Sequence, residues 1–305
     1  EIFKNSQVLK IDGDTRQGMA TSDNNRFLRY WYEVENNKLG FNMKNAEQAM
    51  QSNKKWFPYN KGGYFRKWYG NMEYVINYEN DGYEVKEYAK SLYNSVTRTI
   101  KSISEYFKPS VSWSKISSGS IAFRFYPDGF IFDVAGCCIF YKEDKNMFYQ
   151  IAFLNSNVAS SILNMISPTL NYEAGHIAIL PIIKDNERIE EIISIVKENI
   201  SISKEDWDSF ETSWDFTIHP LIEYKLGAGH SKDIGNWNYT IKDAYNAWES
   251  NCEEKFKILK QNEEKLNRIF IDIYGLQDEL SPEVEDKEIT IRKADKEREV
   301  KSLIS

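Results

Sequence analysis

The stretch Ile121-Ala122-Phe123-Arg124-Phe125-Tyr126-Pro127-Asp128-Gly129-Phe130-Ile131-Phe132 decides the fold class. Ile121, Phe123 and Phe125 alternate with Ala122, Arg124 and Tyr126, the two-residue period that sends alternate side chains to opposite faces of a strand. Pro127-Asp128-Gly129 supplies a preset φ, a local hydrogen-bond acceptor and a residue tolerant of positive φ, which is the chemistry of a tight turn. Phe130 to Tyr141 continues as apolar strand material, so a β-hairpin is expected here.

Working outward toward the N-terminus, Met72, Tyr74, Ile76 and Tyr78 alternate with Glu73, Val75 and Asn77, a second strand pattern. From Val85, the apolar positions Tyr88, Ala89, Leu92, Val96, Ile100, Ile103 and Phe107 keep one face of a 3.6-residue period. That spacing predicts a helix ended by Pro109, with a break near Ser95. Trp31 to Tyr69 is dense in aromatic, basic and glycine residues and reads mostly as loops around a small scaffold, with a helical patch near Ala46 to Met50.

Toward the C-terminus helices dominate. Ser156 is placed to cap a helix carrying Val158, Ile162, Leu163 and Ile166 that Pro168 ends, and Ile177 to Ile183 reads as a short buried strand. Ile189, Ile192, Ile193, Val196 and Ile200 mark another helix, Ser203 with Asp206 resembles a capping box, and Trp207 to Trp214 reads as a packed connection. Ile241, Tyr245, Trp248, Cys252, Phe256, Leu259, Leu266, Phe270 and Ile273 are spaced mostly three and four apart, interrupted by Asn262 and Glu263. A helix this long needs a partner to bury its seam, so an antiparallel arm or bundle edge is expected. Glu283 to Glu299 is charged with little apolar period and reads as a linker or solvated helix. Strands followed by long helices give an α+β class with a mixed or antiparallel sheet.

Composition narrows the function classes. With 305 residues, 41% hydrophobic and 28% charged, the chain has material for about two domains, and whole-chain disorder is excluded. The longest apolar stretches, such as Ile177 to Ile183, fall short of the roughly 20 residues that span a bilayer, so no membrane is expected as a partner. The start, Glu1-Ile2-Phe3-Lys4-Asn5, lacks an initiator Met and the pattern of a signal peptide, and reads as that of an excised fragment. Three cysteines, with Cys137 and Cys138 adjacent, make no disulfide framework, and a reducing cytoplasm fits best. The net charge of −7 divides into +5 over residues 1–130 and −12 over 131–305, so the two halves differ in electrostatic character and the first could face phosphate.

Few residues point to chemistry at a metal or cofactor. His176, His219, His230 and the cysteines lack the paired spacing of a zinc site, and structural roles are expected for them. Gly227-Ala228-Gly229 opens no apolar helix and reads as a turn. Asp128, Glu143 and Lys145 formally match a metal-dependent nuclease motif that would bind Mg²⁺ and activate water, but turn chemistry explains both pieces.

The basic cluster Lys54-Lys55-Trp56-Phe57-Pro58-Tyr59-Asn60-Lys61-Gly62-Gly63-Tyr64-Phe65-Arg66-Lys67-Trp68-Tyr69-Gly70 has five positive charges, no acidic residue and aromatics throughout. Lysine and arginine neutralise phosphates, aromatics stack on bases or wedge between them, and Gly62-Gly63 permits close backbone approach. A weaker basic stretch runs through Arg98, Lys101, Lys108, Lys115 and Arg124, with Glu105 opposing it. The competing explanation is a solvated face over an aromatic minicore.

The block KKWFPYNKGGYFRKWYGNMEYVINYENDG from Lys54 resembles the C-terminal half of BREX-type PglX adenine-specific DNA methyltransferases. So do RQGMATSDNNRFLRYWYEV from Arg16, SWSKISSGSIAFRFYPDGFIFDVAGCCIF from Ser112, EDWDSFETSWDFTIHPLI from Glu205 and NEEKLNRIFIDIYGLQDEL from Asn262. In overall order the middle also resembles target-recognition domains of restriction–modification specificity subunits, with FLNSNVASSILNMISPTLNYEAGHIAILPI similar to their closing segment.

The resemblance implies a phage-defence enzyme whose N-terminal half binds S-adenosylmethionine and methylates adenine N6, while its C-terminal half selects the DNA sequence. This chain resembles the second half. The family's catalytic tetrapeptide needs consecutive prolines, whereas the prolines here, at 58, 109, 127, 168, 181, 220 and 282, are isolated, and the Gly-rich cofactor motif is missing. No catalytic, cofactor-binding or metal-ligating residue is therefore assigned, and the chain alone is expected to be inactive. The expected organisation is a DNA target-recognition domain over residues 1–185 and a helical spacer and arm over 186–305. Its DNA-binding residues are expected to be Lys54, Lys55, Lys61, Gly62, Gly63, Tyr64, Arg66, Lys67, Lys115 and Arg124. Expected partners are double-stranded DNA, the N-terminal methyltransferase domain of the parent chain and other defence-system proteins. The alternatives are a metal-dependent nuclease on Asp128, Glu143 and Lys145, or a protein-interaction module using the acidic helices.

Overall fold

Strand alternation concentrates in the first 182 residues and helical periodicity after residue 143, and the architecture mirrors that division. A computed structural model describes residues 6–117, 119–167, 169–225 and 240–304. The strands in chain order are β1 (Gln7–Val8), β2 (Gly13–Arg16), β3 (Leu28–Tyr30), β4 (Trp56–Asn60), β5 (Tyr74–Asn77), β6 (Ser110–Ser114), β7 (Phe123–Tyr126), β8 (Ile131–Phe132), β9 (Gly136–Tyr141) and β10 (Pro181–Ile182). The α-helices are α1 (Asn24–Phe27), α2 (Ala46–Gln51), α3 (Glu79–Tyr93), α4 (Asp144–Leu154), α5 (Asn157–Ile166), α6 (Ala174–Ala178), α7 (Ile189–Asp208), α8 (Pro220–Lys225), α9 (Ile241–Tyr274) and α10 (Lys296–Ile304). One four-stranded sheet runs β2-β9-β6-β7, a second runs β3-β5-β4-β8, and β1 pairs with β10. The pairings are antiparallel except β4 with β8, so the fold is α+β with antiparallel and mixed sheets.

The segment 121–141 forms strands but not the expected hairpin. β7 pairs with β6, β8 lies parallel to β4, and β9 pairs with β2 and β6. The turn at Pro127-Asp128-Gly129 is captured by Phe107, whose N–H donates to Phe130 O while its carbonyl accepts from Gly129 N–H. Those bonds send the chain into the other sheet. The aromatic run expected to be loop contains β4, which is buried at every position. Burial on both faces erases the alternation by which a half-buried strand is recognised.

Helical expectations hold where caps are local. Ser156 accepts from Ala159 N–H at the start of α5, and Thr240 with Asp243 forms a capping box for α9, which Gly275 closes at φ 66°. The helix after Val85 breaks at Asn94, beside the expected break near Ser95, with Asn94 as a left-handed C-cap, and it does not resume as α-helix before Pro109. Ser203 and Asp206 lie inside α7 and cap nothing, because Asp206 is drawn into a buried ion pair with Arg66. Only Pro181–Ile182 of the expected strand at 177–183 is extended, with α6 occupying its start. The charged tail is not a solvated linker: Val284, Ile289 and Ile291 return to the main core. Pro168 and Gly227-Ala228-Gly229 with His230 lie outside the described residues.

Trp248, Phe256, Leu259, Leu266 and Phe270 all face inward along α9. Phe270 meets Tyr149 and Phe153 of α4 edge-on at 5.7 Å, and Tyr274 stacks on Phe153 at 5.3 Å. A single apolar cluster joins Val111 and Phe153 to Ile192, Leu266 and Ile291, crossing the expected boundary at 185. A second cluster under the β3-β5-β4-β8 sheet contains Phe57, Tyr59, Ile76, Phe107 and Phe132. No helix among the described residues is long and apolar enough to cross a membrane.

Candidate nucleic-acid interface

β4 emerges at Asn60 into Lys61-Gly62-Gly63-Tyr64, and the backbone of this loop is fixed by the side chains of Ser114 and Asn71. Gly63 N–H donates to Ser114 Oγ at 3.0 Å while Ser114 Oγ donates to Gly63 O at 2.9 Å. Asn71 Nδ2 donates to Tyr64 O at 2.9 Å. Glycine is required at 63, where φ is 142° and a Cβ would lie 2.7 Å from Asn71 Nδ2. The consequence is that Tyr64 stands 85% exposed on a pinned backbone.

Lys61 stands beside this tyrosine loop, half-buried, with Nζ 2.7 Å from Asp133 Oδ2. The same carboxylate oxygen accepts from Tyr59 OH at 2.7 Å, and burial, then the Asp133 charge, pushes the Tyr59 phenol well above its ordinary range. Lys54 donates to Asn37 O, Lys55 lies 3.6 Å from Glu79, and Lys115 lies 2.9 Å from Glu173. The hydrogen bond from Lys115 is the main cause holding the Glu173 carboxyl below the usual range. These lysines are all partly exposed; the pairs of Lys55 and Lys115 are the weak surface kind that a phosphate can compete with, whereas Lys61 pairs from the surface with the buried carboxylate of Asp133.

Three of the expected DNA contacts are turned inward, which corrects their assignment. Arg66, 6% exposed, donates through Nη2 to Asp206 Oδ2 at 2.7 Å, through Nε to Tyr69 O at 2.7 Å and through Nη1 to Thr290 O at 3.1 Å. Lys67, 8% exposed, places Nζ 2.7 Å from Glu263 Oε2, and Trp68 Nε1 donates to Glu263 Oε1 at 2.7 Å. Arg124, 1% exposed, donates through Nη1 to Arg66 O and through Nη2 to Ser114 Oγ, both at 3.2 Å. A buried cation is retained when paired and hydrogen-bonded, which holds for Arg66 and Lys67 through Asp206 and Glu263, whereas Arg124 is held by neutral oxygens alone and its Nε has no hydrogen-bond partner. Arg66 and Lys67 bolt the 66–70 segment to α7 and α9, and Arg124 ties it to β7. The polar interruption at Asn262 and Glu263 was the sequence signal for this, because a carboxylate in an apolar seam needs a buried partner.

Beside Lys61 opens a cleft of about 420 Å³ lined by Asn24, Asn25, Leu28, Arg29, Tyr30, Glu33, Lys61 and Tyr74. Tyr30 stacks on Tyr32 at 5.3 Å and on Tyr74 at 4.7 Å, and Tyr74 OH donates to Tyr30 OH at 3.1 Å. Nothing in the linear sequence brings these residues together, since Tyr30 and Tyr74 meet only through the register of β3 with β5. Asp128 belongs to the turn after β7, Glu143 precedes α4, and Lys145 pairs with Glu190 at 3.0 Å. Among the described residues no group of three or more His, Cys, Asp or Glu could hold a metal ion.

Comparison with known proteins places these features in a segment of much longer chains. The chain is 42% identical over 294 residues to the adenine-specific methyltransferase PglX of Lacticaseibacillus casei (strain Zhang), covering 95% of this chain and 23% of that protein. It is 34% identical over 253 residues to the adenine-specific methyltransferase BrxX of Escherichia coli O9:H4 (strain HS), covering 82% of this chain and 18% of that protein. The chain thus spans less than a quarter of the length of these relatives, and it is homologous to a PglX-type segment. No family model matches it.

Proposed function

We propose, from this similarity to part of PglX and BrxX, that the chain is the DNA sequence-recognition segment of a site-specific N6-adenine methyltransferase in a phage-defence system. Methyl transfer from S-adenosylmethionine belongs to another segment of such a protein, and this one holds the duplex and selects the site. Lys54, Lys55, Lys61 and Lys115 meet phosphate, and the Gly62-Gly63 loop carries Tyr64 to a groove. The observation that carries the proposal is Tyr64, a large ring left 85% exposed on a backbone pinned by Ser114 and Asn71. An exposed aromatic on a hydrogen-bonded backbone beside lysines is suited to wedge against or stack on a base, and the backbone that carries it is already ordered before binding.

The test is fluorescence anisotropy on duplex DNA across a salt series, comparing the native chain with a Lys54→Ala, Lys55→Ala, Lys61→Ala triple variant of verified fold. Weaker binding and a shallower salt slope in the variant are expected. Equal affinity and equal slope in the two proteins would overturn the proposal.

A further inference from the structure

The three stacked tyrosines beside Lys61 are not needed to hold a duplex by its phosphates. Tyr32 is 59% exposed, and its ring lies within 3° of parallel to Tyr30, while Tyr30 and Tyr74 line the cleft. Tyr30 is fixed from two further directions, by the hydroxyl of Tyr74 and by its own N–H donating to Glu33 Oε2 at 2.8 Å. A prebuilt, partly wetted stack is a platform that one more planar group can extend.

The chemistry of the rim separates a base from a phosphate. Glu33 repels an anion from the cleft and can accept from an exocyclic amine, and the Asn25 amide can pair with a base edge. Positive charge lies at Lys61 and at Arg29, whose Nη1 donates to the carbonyls of Asn25 and Leu28 at 2.6 Å. A nucleotide fits that distribution with its base against the tyrosine stack where it lines the cleft and its phosphate toward Lys61. The volume of about 420 Å³ lies within the range of about 300–1,000 Å³ typical of small-molecule sites. A base still paired inside a duplex cannot enter such a recess, so the occupant must already have left the stack.

Resting on the recognition role proposed above, we propose that the Tyr30–Tyr74 cleft is a binding site for a nucleobase from a locally unpaired strand of the DNA held on this face. The site captures and stabilises a displaced base, and it performs no bond-making step.

The experiment compares a fully paired duplex with the same duplex carrying one unpaired 2-aminopurine, using the full 305-residue chain. Native protein is expected to bind the 2-aminopurine duplex about tenfold more tightly, the order of a single base–aromatic stack, and to quench its fluorescence. Tyr74→Leu is expected to erase that preference while leaving affinity for the paired duplex unchanged, and Tyr74→Phe, which keeps the ring, to retain it. Equal affinity for the two duplexes without quenching would overturn the cleft assignment and leave the recognition role standing. An undiminished preference in a folded Tyr74→Leu variant would also overturn it. Failure to bind either duplex would overturn both proposals. Should Tyr74→Leu not fold, the comparison of the two duplexes on native protein decides the matter alone.

Discussion

Lys67 Nζ and Glu263 Oε2 lie 2.7 Å apart although 196 positions separate them in sequence. The other oxygen of Glu263 accepts from Trp68 Nε1, so one carboxylate ties two consecutive residues after the exposed tyrosine loop to the middle of α9. Arg66 makes the equivalent tie to Asp206 on α7. The basic stretch therefore divides at Phe65: the cations before it reach solvent, and the cations after it fasten the two halves of the molecule together.

Removing one partner from that pair leaves the other charge buried without compensation. Glu263→Gln is expected to destabilise the chain by about 3–5 kcal/mol, whereas replacing both partners by apolar residues of similar volume should cost much less. Chemical denaturation checks this as a lower midpoint at unchanged m-value.

Lys67→Ala and Lys61→Ala should separate structure from binding. Loss of Lys67 is expected to lower the denaturation midpoint and leave the salt slope of DNA binding unaltered. Loss of Lys61, if it meets one phosphate, should reduce the log–log slope by about 0.9. Tyr64→Ala should weaken DNA binding without moving the thermal midpoint, because the ring contributes little to the core.

The apolar seam of α9 gives a packing prediction. Leu266 is fully enclosed by the main cluster, so Leu266→Ala should cost about 2–5 kcal/mol, the spread depending on how far the cavity collapses. Equilibrium unfolding measures it directly.

Alkaline pH should destabilise the fold. Burial pushes the thiols of Cys138 up to about 11 and of Cys137 and Cys252 to about 12, and it pushes the phenols of Tyr126 and Tyr149 to about 12. Unfolded thiols titrate near 8.5 and phenols near 10, roughly. Above these values the unfolded chain has lost protons that the folded chain keeps, so this contribution is complete below about pH 8.5 and disappears as pH rises through 11 to 12. At pH 8 a thiol reagent should label none of the three cysteines in the native chain and all three in denaturant.

Methyl transfer should be absent from this chain by itself. Incubation with duplex DNA and labelled S-adenosylmethionine is expected to leave the DNA unlabelled, and calorimetry should detect no binding of that cofactor.

The amino-acid sequence by itself determined the α+β class, the cap of α5 at Ser156 and the length and inward stripe of α9, because hydrophobic period and capping chemistry act within a few residues. Local signals ran out at β4, where burial on both faces hides the strand, and at Pro127-Asp128-Gly129, where Phe107 redirects a turn that looked like a hairpin. For the candidate site, the sequence marked the 54–70 segment by its charge but not which of its cations face inward and which outward. Lys61, Arg66 and Lys67 carry the same charge within one stretch, and only tertiary structure decided that Asp206 and Glu263 bury two of them. The Tyr30–Tyr74 stack likewise exists only through strand register. Whether a charge faces water depends on partners far along the chain, and that distance is what the linear pattern cannot encode.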